Sequence, residues 1–271
     1  MAKNKTLMNI HAQKYIEQVF ADRLREEGFF CPNDKYLCWY KVIDEQVVHS
    51  IVFFTRWSAM PMILEIGYGC YPLFQKPVYT PSVYFDKRPL NTHTFHVQLL
   101  KEENPPGEIQ VYRRYSEDIL VDVPPQDGKG IYTLDKIILP QMKGIKTVED
   151  CYRFHKRQCE SILKLNFGED DLSTLPLYFE DYPNMLQPTF IDEALYFEDT
   201  QFYPPAIMKA EKMIERRKDT LLDKPNDVKA QKELQEWELR TSALEDGDHN
   251  AYLEILEKRR LANIAYLKKL K

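Results

Sequence analysis

The sequence predicts an α+β fold with an N-terminal helix, a mainly antiparallel sheet of about six strands and a helical C-terminal half. Two changes of hydrophobic period predict this class. Apolar residues recur at helical spacing near the N-terminus, alternate with a period of about two between residues 36 and 123, and return to a helical pattern after residue 134. Because the strand candidates follow one another without an intervening helix, we expect them to pair antiparallel.

The first element is a helix, expected over residues 7–27. Ile16, Phe20 and Leu24 recur at helical spacing and define its buried face. Gly28 follows the last of these residues, where a glycine commonly ends a helix in the left-handed conformation. The sequence therefore predicts both the helix and the residue that terminates it.

Six segments rich in β-branched and aromatic residues follow as strand candidates. The first two are separated by residues 44–46 alone, which is short enough for a hairpin. Segments containing proline and glycine separate several of the others and are typical of turns and loops. The candidate strands cover residues 36–43, 47–56, 62–71, 94–100, 108–116 and 118–123.

The second half of the chain is expected to be mainly helical. Thr147 is placed as an N-cap, with Asp150 in the first turn, where the helix dipole favours a negative charge. Several prolines between residues 166 and 208 predict irregular structure there. The last 65 residues are charged and helix-favouring, and they predict three helices.

Three regions follow from these patterns. Residues 1–145 form a domain of helix and antiparallel sheet, residues 146–208 a helix with an acidic, proline-rich strap, and residues 209–271 a C-terminal helical unit. The alternative is a single continuous domain, since 271 residues lie near the size at which one core becomes two.

Composition restricts where the protein works. No apolar run approaches the roughly 18–20 residues that span a bilayer, and the N-terminus lacks the apolar segment of a secretory signal, so we expect neither membrane insertion nor export. Five cysteines without regular spacing argue against a disulfide framework and favour the reducing cytoplasm.

Charge and motifs restrict what the protein does. The net charge is −5, and residues 166–208 contain nine acidic residues but no lysine or arginine, so we do not expect nucleic-acid binding. The chain contains no P-loop, no complete dinucleotide fingerprint, and no serine-hydrolase or zinc-protease motif. We therefore expect no cofactor, although catalysis by residues distant in sequence stays open.

The stretch "EDCYRFHKRQCE" carries the most reactive side chains in one segment. Cys151, His155 and Cys159 lie in the middle of the apolar arc of a predicted helix, about 120° wide, with the charged residues outside it. The two cysteines are about 12 Å apart along the helix axis, too far to share one zinc ion. We favour a buried, structural face, with a metal site at His155 and one of the cysteines as the alternative.

The segment "LEIGYGC" provides a candidate ligand site. Glu65, Gly67 and Gly69 share one face of a predicted strand, and two glycines in succession permit close approach of a helix, a backbone or a ligand. Three further side chains, on or directly before neighbouring strand candidates, are assigned to such a pocket. They are His49, His93 and Arg113.

The pentapeptide "LYFED" occurs twice, eighteen residues apart. Each copy joins an apolar, aromatic anchor to an acidic pair, which suits docking to a basic partner or tethering of the strap to the core. The candidate interaction residues are Tyr178, Phe179, Glu180 and Asp181 in the first copy and Tyr196, Phe197, Glu198 and Asp199 in the second.

The expected function is a cytoplasmic protein-interaction or regulatory module without catalysis. The acidic, aromatic strap and the lack of a recognisable catalytic motif favour it. Two alternatives belong to other classes: an enzyme or small-ligand-binding protein with a pocket around Glu65, Gly67 and Gly69, and a metal protein that uses His155.

Overall fold

The computed structural model describes 190 of the 271 residues, mainly in eight helices and four strands. The described residues are 13–14, 16–32, 38–56, 63–75, 95–98, 131, 134–169, 171–186, 188–247 and 249–270.

The elements alternate little along the chain, with strands early and helices late. The strands are β1 (Cys38–Ile43), β2 (Val47–Arg56), β3 (Ile63–Pro72) and β4 (Phe95–Gln98). The helices are α1 (Glu17–Ala21 continued by Asp22–Glu26), α2 (Leu134–Ile138 continued by Leu139–Lys143), α3 (Val148–Phe167), α4 (Leu175–Asp181), α5 (Pro188–Tyr196), α6 (Tyr203–Asp223), α7 (Val228–Asp246) and α8 (Asn250–Leu270).

The chain divides into two compact units, each described by itself. Unit 1 comprises Met1–Leu73, Pro77–Phe154 and Asn263–Lys271, and unit 2 comprises Phe74–Lys76 and His155–Ala262. The three regions predicted from sequence remain a prediction about domain boundaries. Unit 1 contains the sheet, whereas helices make up most of the described part of unit 2.

Helix α1 ends where the sequence predicts. Gly28 has φ 84° and its N–H donates to the carbonyl of Arg25 at 2.9 Å, while the N–H of Phe29 donates to the carbonyl of Leu24 at 2.9 Å. This pair of hydrogen bonds is a Schellman motif, and Phe29 and Leu24 are both buried in the same core. The glycine therefore both stops the helix and turns the chain towards the sheet.

The sheet is antiparallel throughout, in the order β1-β2-β3-β4. A tight turn joins β1 to β2, as predicted: Asp44 and Glu45 have φ 47° and 53°, and Gln46 N–H donates to the Ile43 carbonyl at 2.9 Å. Two successive left-handed residues are the signature of a type I′ turn, whose twist matches that of the flanking strands.

The expected count of about six strands is wrong for the described part of the chain. Four strands are present there, they coincide with the first four candidates, and helices hold more of the described residues than strands do. The last two candidates, 108–116 and 118–123, lie outside the described residues. The fold is thus more helical than expected, partly because the proline-rich region also folds into helices.

Prolines 176, 188, 204 and 205 lie at helix starts rather than in irregular segments. Pro176 is in the first turn of α4, Pro188 begins α5, and Pro204 is in the first turn of α6. Proline suits this position because its missing N–H would have no partner in the helix and its fixed φ is already helical. The expectation of an irregular strap over residues 166–208 is corrected for this reason.

The core of unit 1 joins the sheet to α1, α2 and the ends of α3 and α8. Phe20 of α1 packs on Phe53 of β2 with ring centroids 4.9 Å apart, and Tyr68 of β3 lies 6.3 Å from Phe154 of α3. Leu267 of α8 is a buried member of the same cluster. Residues distant in sequence therefore share one core.

The predicted N-cap of α3 is present. Asp150 N–H donates to the Thr147 hydroxyl at 3.1 Å, and the Asp150 carboxylate accepts in return from the Thr147 N–H at 2.9 Å. This reciprocal pair has the form of a capping box. It fixes where α3 begins, and thereby the register of the residues along it.

No helix in the described residues is both long enough and apolar enough to cross a membrane.

Candidate functional site

His49, assigned from sequence to a ligand pocket, is buried in unit 1 and already engaged. Its Nε2–H donates to the carbonyl of Ile145 at 2.7 Å, and the ring is 4% exposed. Burial lowers the pKa of His49 to about 4, although the hydrogen bond to Ile145 acts in the opposite direction. The side chain is therefore neutral at physiological pH and serves the core.

The glycine face of β3 is occupied at Gly69. A Cβ built there would lie 2.2 Å from the hydroxyl oxygen of Tyr71, so the ring of this neighbour fills the space that the missing side chain leaves. Glu65 and Gly67 lie on the same strand, and their side-chain surroundings are outside the described part. His93 and Arg113 lie outside the described residues altogether.

The residues of "CYRFHKRQC" do not share one environment. Cys151 is fully buried in the apolar core of unit 1, whereas His155 is buried in unit 2 beside a carboxylate. The side chain of Cys159 lies outside the described part. Among the described residues, no group of three or more His, Cys, Asp or Glu side chains is placed to hold a metal ion.

Helix α5 carries two adjacent carboxylates into the interior of unit 2. Glu193 is fully buried, and its carboxylate lies 2.8 Å from Nδ1 of His155. It also accepts from Nε2 of Gln75 at 2.9 Å, and Thr189 in turn donates its hydroxyl to the Gln75 amide oxygen at 3.3 Å. The His155–Glu193 pair is thus enclosed by further hydrogen bonds.

Asp192, the preceding residue, faces a different pair of helices. The guanidinium of Arg240 in α7 donates to both carboxylate oxygens, at 2.7 and 3.1 Å. In α8, the Tyr252 hydroxyl donates at 2.5 Å and Arg259 at 3.2 Å. We call His155, Asp192, Glu193, Arg240, Tyr252 and Arg259 the α5 cluster.

Opposite charges within the α5 cluster balance one another, which offsets the free-energy cost of burying them. Glu236 lies 2.7 Å from Arg240 and 2.8 Å from Arg259, so two guanidinium groups face two carboxylates. Burial alone would raise the pKa of Asp192, but the charge of Arg240 outweighs it and the pKa lies below its usual range. Burial, reinforced by the charge of Asp192, raises the pKa of Glu193 well above its usual range.

Apart from His155, the residues of the α5 cluster are not among the sequence-based candidates, and Asp192 and Glu193 fall within the predicted acidic, proline-rich strap. A local signal exists in "TFIDEALY", where two acids interrupt an otherwise apolar segment. A second signal is Arg240, at helical spacing between the buried residues Trp237 and Leu244. The partners themselves, 38 or more residues away in the chain, leave no local pattern. The hydrogen bonds and ion pairs of the cluster connect α5 to α3, α7 and α8.

The two "LYFED" copies differ in context. In the first, Tyr178 and Phe179 are buried inside α4. In the second, Tyr196 ends α5 and is 43% exposed, and Glu198 adopts φ 52° in the turn that follows. The acidic ends differ likewise: Asp199 pairs with Lys156, whereas Asp181 and Glu180 are exposed and half-buried respectively. The repeats therefore do not present one shared surface.

An open groove lies beside the outer edge of β1 in unit 1. Phe30 and Tyr40 exchange two backbone hydrogen bonds of 2.8 Å, and Gly28 then turns the chain away from the strand. Because alternate residues of a strand point their backbone groups to the same side, the N–H and C=O of Val42 also point away from β2. No described residue forms a backbone hydrogen bond with them.

The groove encloses about 260 Å³. Its floor is apolar, with Leu267 and Ile264 buried and Phe30 and Val42 half-buried, and its rim is charged. The lining residues are Gly28, Phe30, Val42, Asp44, Glu45, Ile264, Leu267 and Lys268. We call this set the β1 groove.

Comparisons of the chain with protein-family models, with curated proteins and with solved structures each give no match.

Proposed function

We propose that the protein is an interaction module that binds an extended segment of a partner protein in the β1 groove, without catalysis. The observation that carries the proposal is the outward N–H and C=O of Val42 beside an apolar floor. A sheet edge with available backbone groups can accept an added strand, whose main chain provides affinity and whose alternate side chains enter adjoining pockets.

The placement of the acid–base groups supports a role without catalysis. His49 is neutral and bonded to a backbone carbonyl, and His155 and Glu193 are bonded to each other in the interior of unit 2. General acid–base catalysis requires such a group within hydrogen-bonding reach of a substrate. Neither of these pairs is among the lining residues of the β1 groove.

The cysteines support a cytoplasmic location as part of the same proposal. Cys31, Cys38, Cys70 and Cys151 are thiols rather than disulfides, and the last three are buried. Burial raises the pKa of Cys38 to about 12, which keeps its thiol protonated and unreactive. Free structural cysteines are typical of reducing compartments.

The test removes the outward N–H while leaving the pairing with β2 unchanged. Val42→Pro deletes this donor at an edge position, where proline is tolerated, and Val42→Thr is the matched control that keeps it. Wild type and both variants are used to select binders from a phage-displayed library of random heptapeptides. We expect enrichment on wild type and Val42→Thr, and about tenfold weaker binding of the selected peptides to Val42→Pro.

A circular-dichroism melt of each variant separates loss of binding from loss of folding. Peptides that bind Val42→Pro as tightly as wild type, or a library from which nothing is enriched on wild type, would contradict the proposal.

A further inference from the structure

We infer that the segment bound in the β1 groove carries a lysine or arginine two residues before the apolar residue that lies opposite Val42. This inference rests on the proposed function and adds the chemistry of the partner. It follows from the rim of the groove, where the turn between β1 and β2 places two acidic residues.

The turn between β1 and β2 places both acids in the left-handed region at the rim of the groove. Aspartate, like asparagine and glycine, enters this region readily, so Asp44 suits the turn, whereas Glu45 is the unusual residue. Together they put two carboxylates beside an open groove, which suits a ligand that carries a positive charge.

The charges of the rim do not cancel. Lys268 is the cation among the lining residues, and its Nζ lies 2.5 Å from Glu45. The carboxylate of Asp44 is exposed and forms no ion pair with a described residue. The nearby Lys41 donates instead to the backbone carbonyl of Glu27 at 2.6 Å. Asp44 therefore presents a carboxylate at the rim without an ion pair to a described residue, and a cationic side chain complements it.

Strand geometry sets the spacing. Phe30 pairs antiparallel with Tyr40 at the outer edge of β1. A guest segment that lies along the same edge in the same direction as Phe30 would therefore pair antiparallel with Val42. β1 ends at Ile43, and Asp44 begins the turn. The guest residue two positions before the one opposite Val42 shares its face and lies about 7 Å further along, where a long cationic side chain can reach the turn. The apolar guest residue then covers Phe30 and Leu267, and the cation reaches the turn.

The same heptapeptide library provides the test, read by sequencing the enriched peptides. Selection is made on wild type, on Asp44→Asn, and on Asp22→Asn, a control that removes an equal charge from the exposed face of α1. We expect lysine or arginine two positions before an apolar residue on wild type and on Asp22→Asn, but not on Asp44→Asn. Replacing that lysine by norleucine should weaken binding to wild type about threefold, with no effect on Asp44→Asn.

The outcomes separate the two ideas. Enriched peptides without the cation, whose binding still depends on the Val42 N–H, would overturn this inference and leave the proposed function standing. A cation preference that persists on Asp44→Asn would overturn it as well. Failure to enrich any peptide on wild type over Val42→Pro would remove the proposed function and the inference together.

Discussion

Glu198 ends α5 in a backbone conformation that usually belongs to glycine. Its φ is 52°, its N–H donates to the Leu195 carbonyl at 3.2 Å, and the N–H of Asp199 donates to the Ala194 carbonyl at 2.9 Å. These are the two hydrogen bonds of a Schellman motif, the same device that ends α1 at Gly28. One helix thus uses the favoured residue at this position, and the other uses a strained one.

Replacing this residue should stabilise unit 2. Glu198→Gly removes the steric conflict between Cβ and the backbone in the left-handed region, and we expect the free energy of unfolding to rise by about 1 kcal/mol. Glu198→Ala keeps the conflict and should give no such gain. Urea unfolding of the three proteins measures the difference, and an equal effect of both substitutions would contradict this explanation.

His49 should make stability depend on pH. Its pKa is about 4 when folded and about 6.5 when unfolded, so the unfolded chain takes up a proton first as the pH falls. Its contribution to stability is fully present above about pH 6.5 and declines until the pH reaches about 4. Between pH 7 and pH 5, we expect the stability advantage of wild type over His49→Gln to shrink by about 2 kcal/mol. Unfolding curves for the two proteins that stay equally separated at both pH values would exclude this role.

Helix α5 is held in place by ionisable side chains that are buried in the interior of unit 2. Every residue from Thr189 to Leu195 is buried, so its two carboxylates have no access to water. The guanidinium of Arg240 is stacked 4.7 Å over the ring of Trp237 and donates hydrogen bonds to the carboxylate of Asp192. Buried ion pairs add little net stability over an apolar replacement, but removing one partner leaves an uncompensated charge.

Arg240→Met should therefore destabilise unit 2 strongly, by about 3–5 kcal/mol. Arg260→Met is the matched control, since Arg260 pairs with Glu257 at 2.6 Å on the surface of the neighbouring α8. We expect the control to lose less than about 1 kcal/mol. Thermal or denaturant unfolding compares the two. Similar losses would mean that the buried pair is no more important than an exposed one.

The elements that the sequence predicts well are those with local signals. Gly28 ends α1 and Thr147 begins α3 because each bonds to residues within a few positions in the chain. Prolines also act locally, but the same residue suits a loop or a first helical turn, and Pro188 begins a helix. Which of the two occurs depends on burial of the segment that follows, and proline content alone does not reveal it.

At the scale of the whole molecule, the candidate sites depend on tertiary contacts. The β1 groove combines the edge of β1 with Leu267, more than 200 residues later in the chain, and the α5 cluster combines residues from four helices. Hydrophobic periodicity shows that a strand or helix is amphipathic, but it does not show which other element packs against the apolar face. For this reason Val42 and Arg240 are absent from the sequence-based candidates. His155 is among them, as a buried structural residue or alternatively a metal ligand, but its partner Glu193 is not.

The composition of unit 1 has a consequence for biosynthesis. Ile264 and Leu267 are buried in the core that α1 and the sheet also form, and they belong to the last part of the unit to be synthesised. A nascent chain that has reached residue 262 already contains α1, the sheet, α2 and the start of α3, yet lacks Ile264 and Leu267, which complete their core. The core of unit 1 is therefore complete only once the end of α8 has been synthesised, and the surface that Ile264 and Leu267 cover stays open until then.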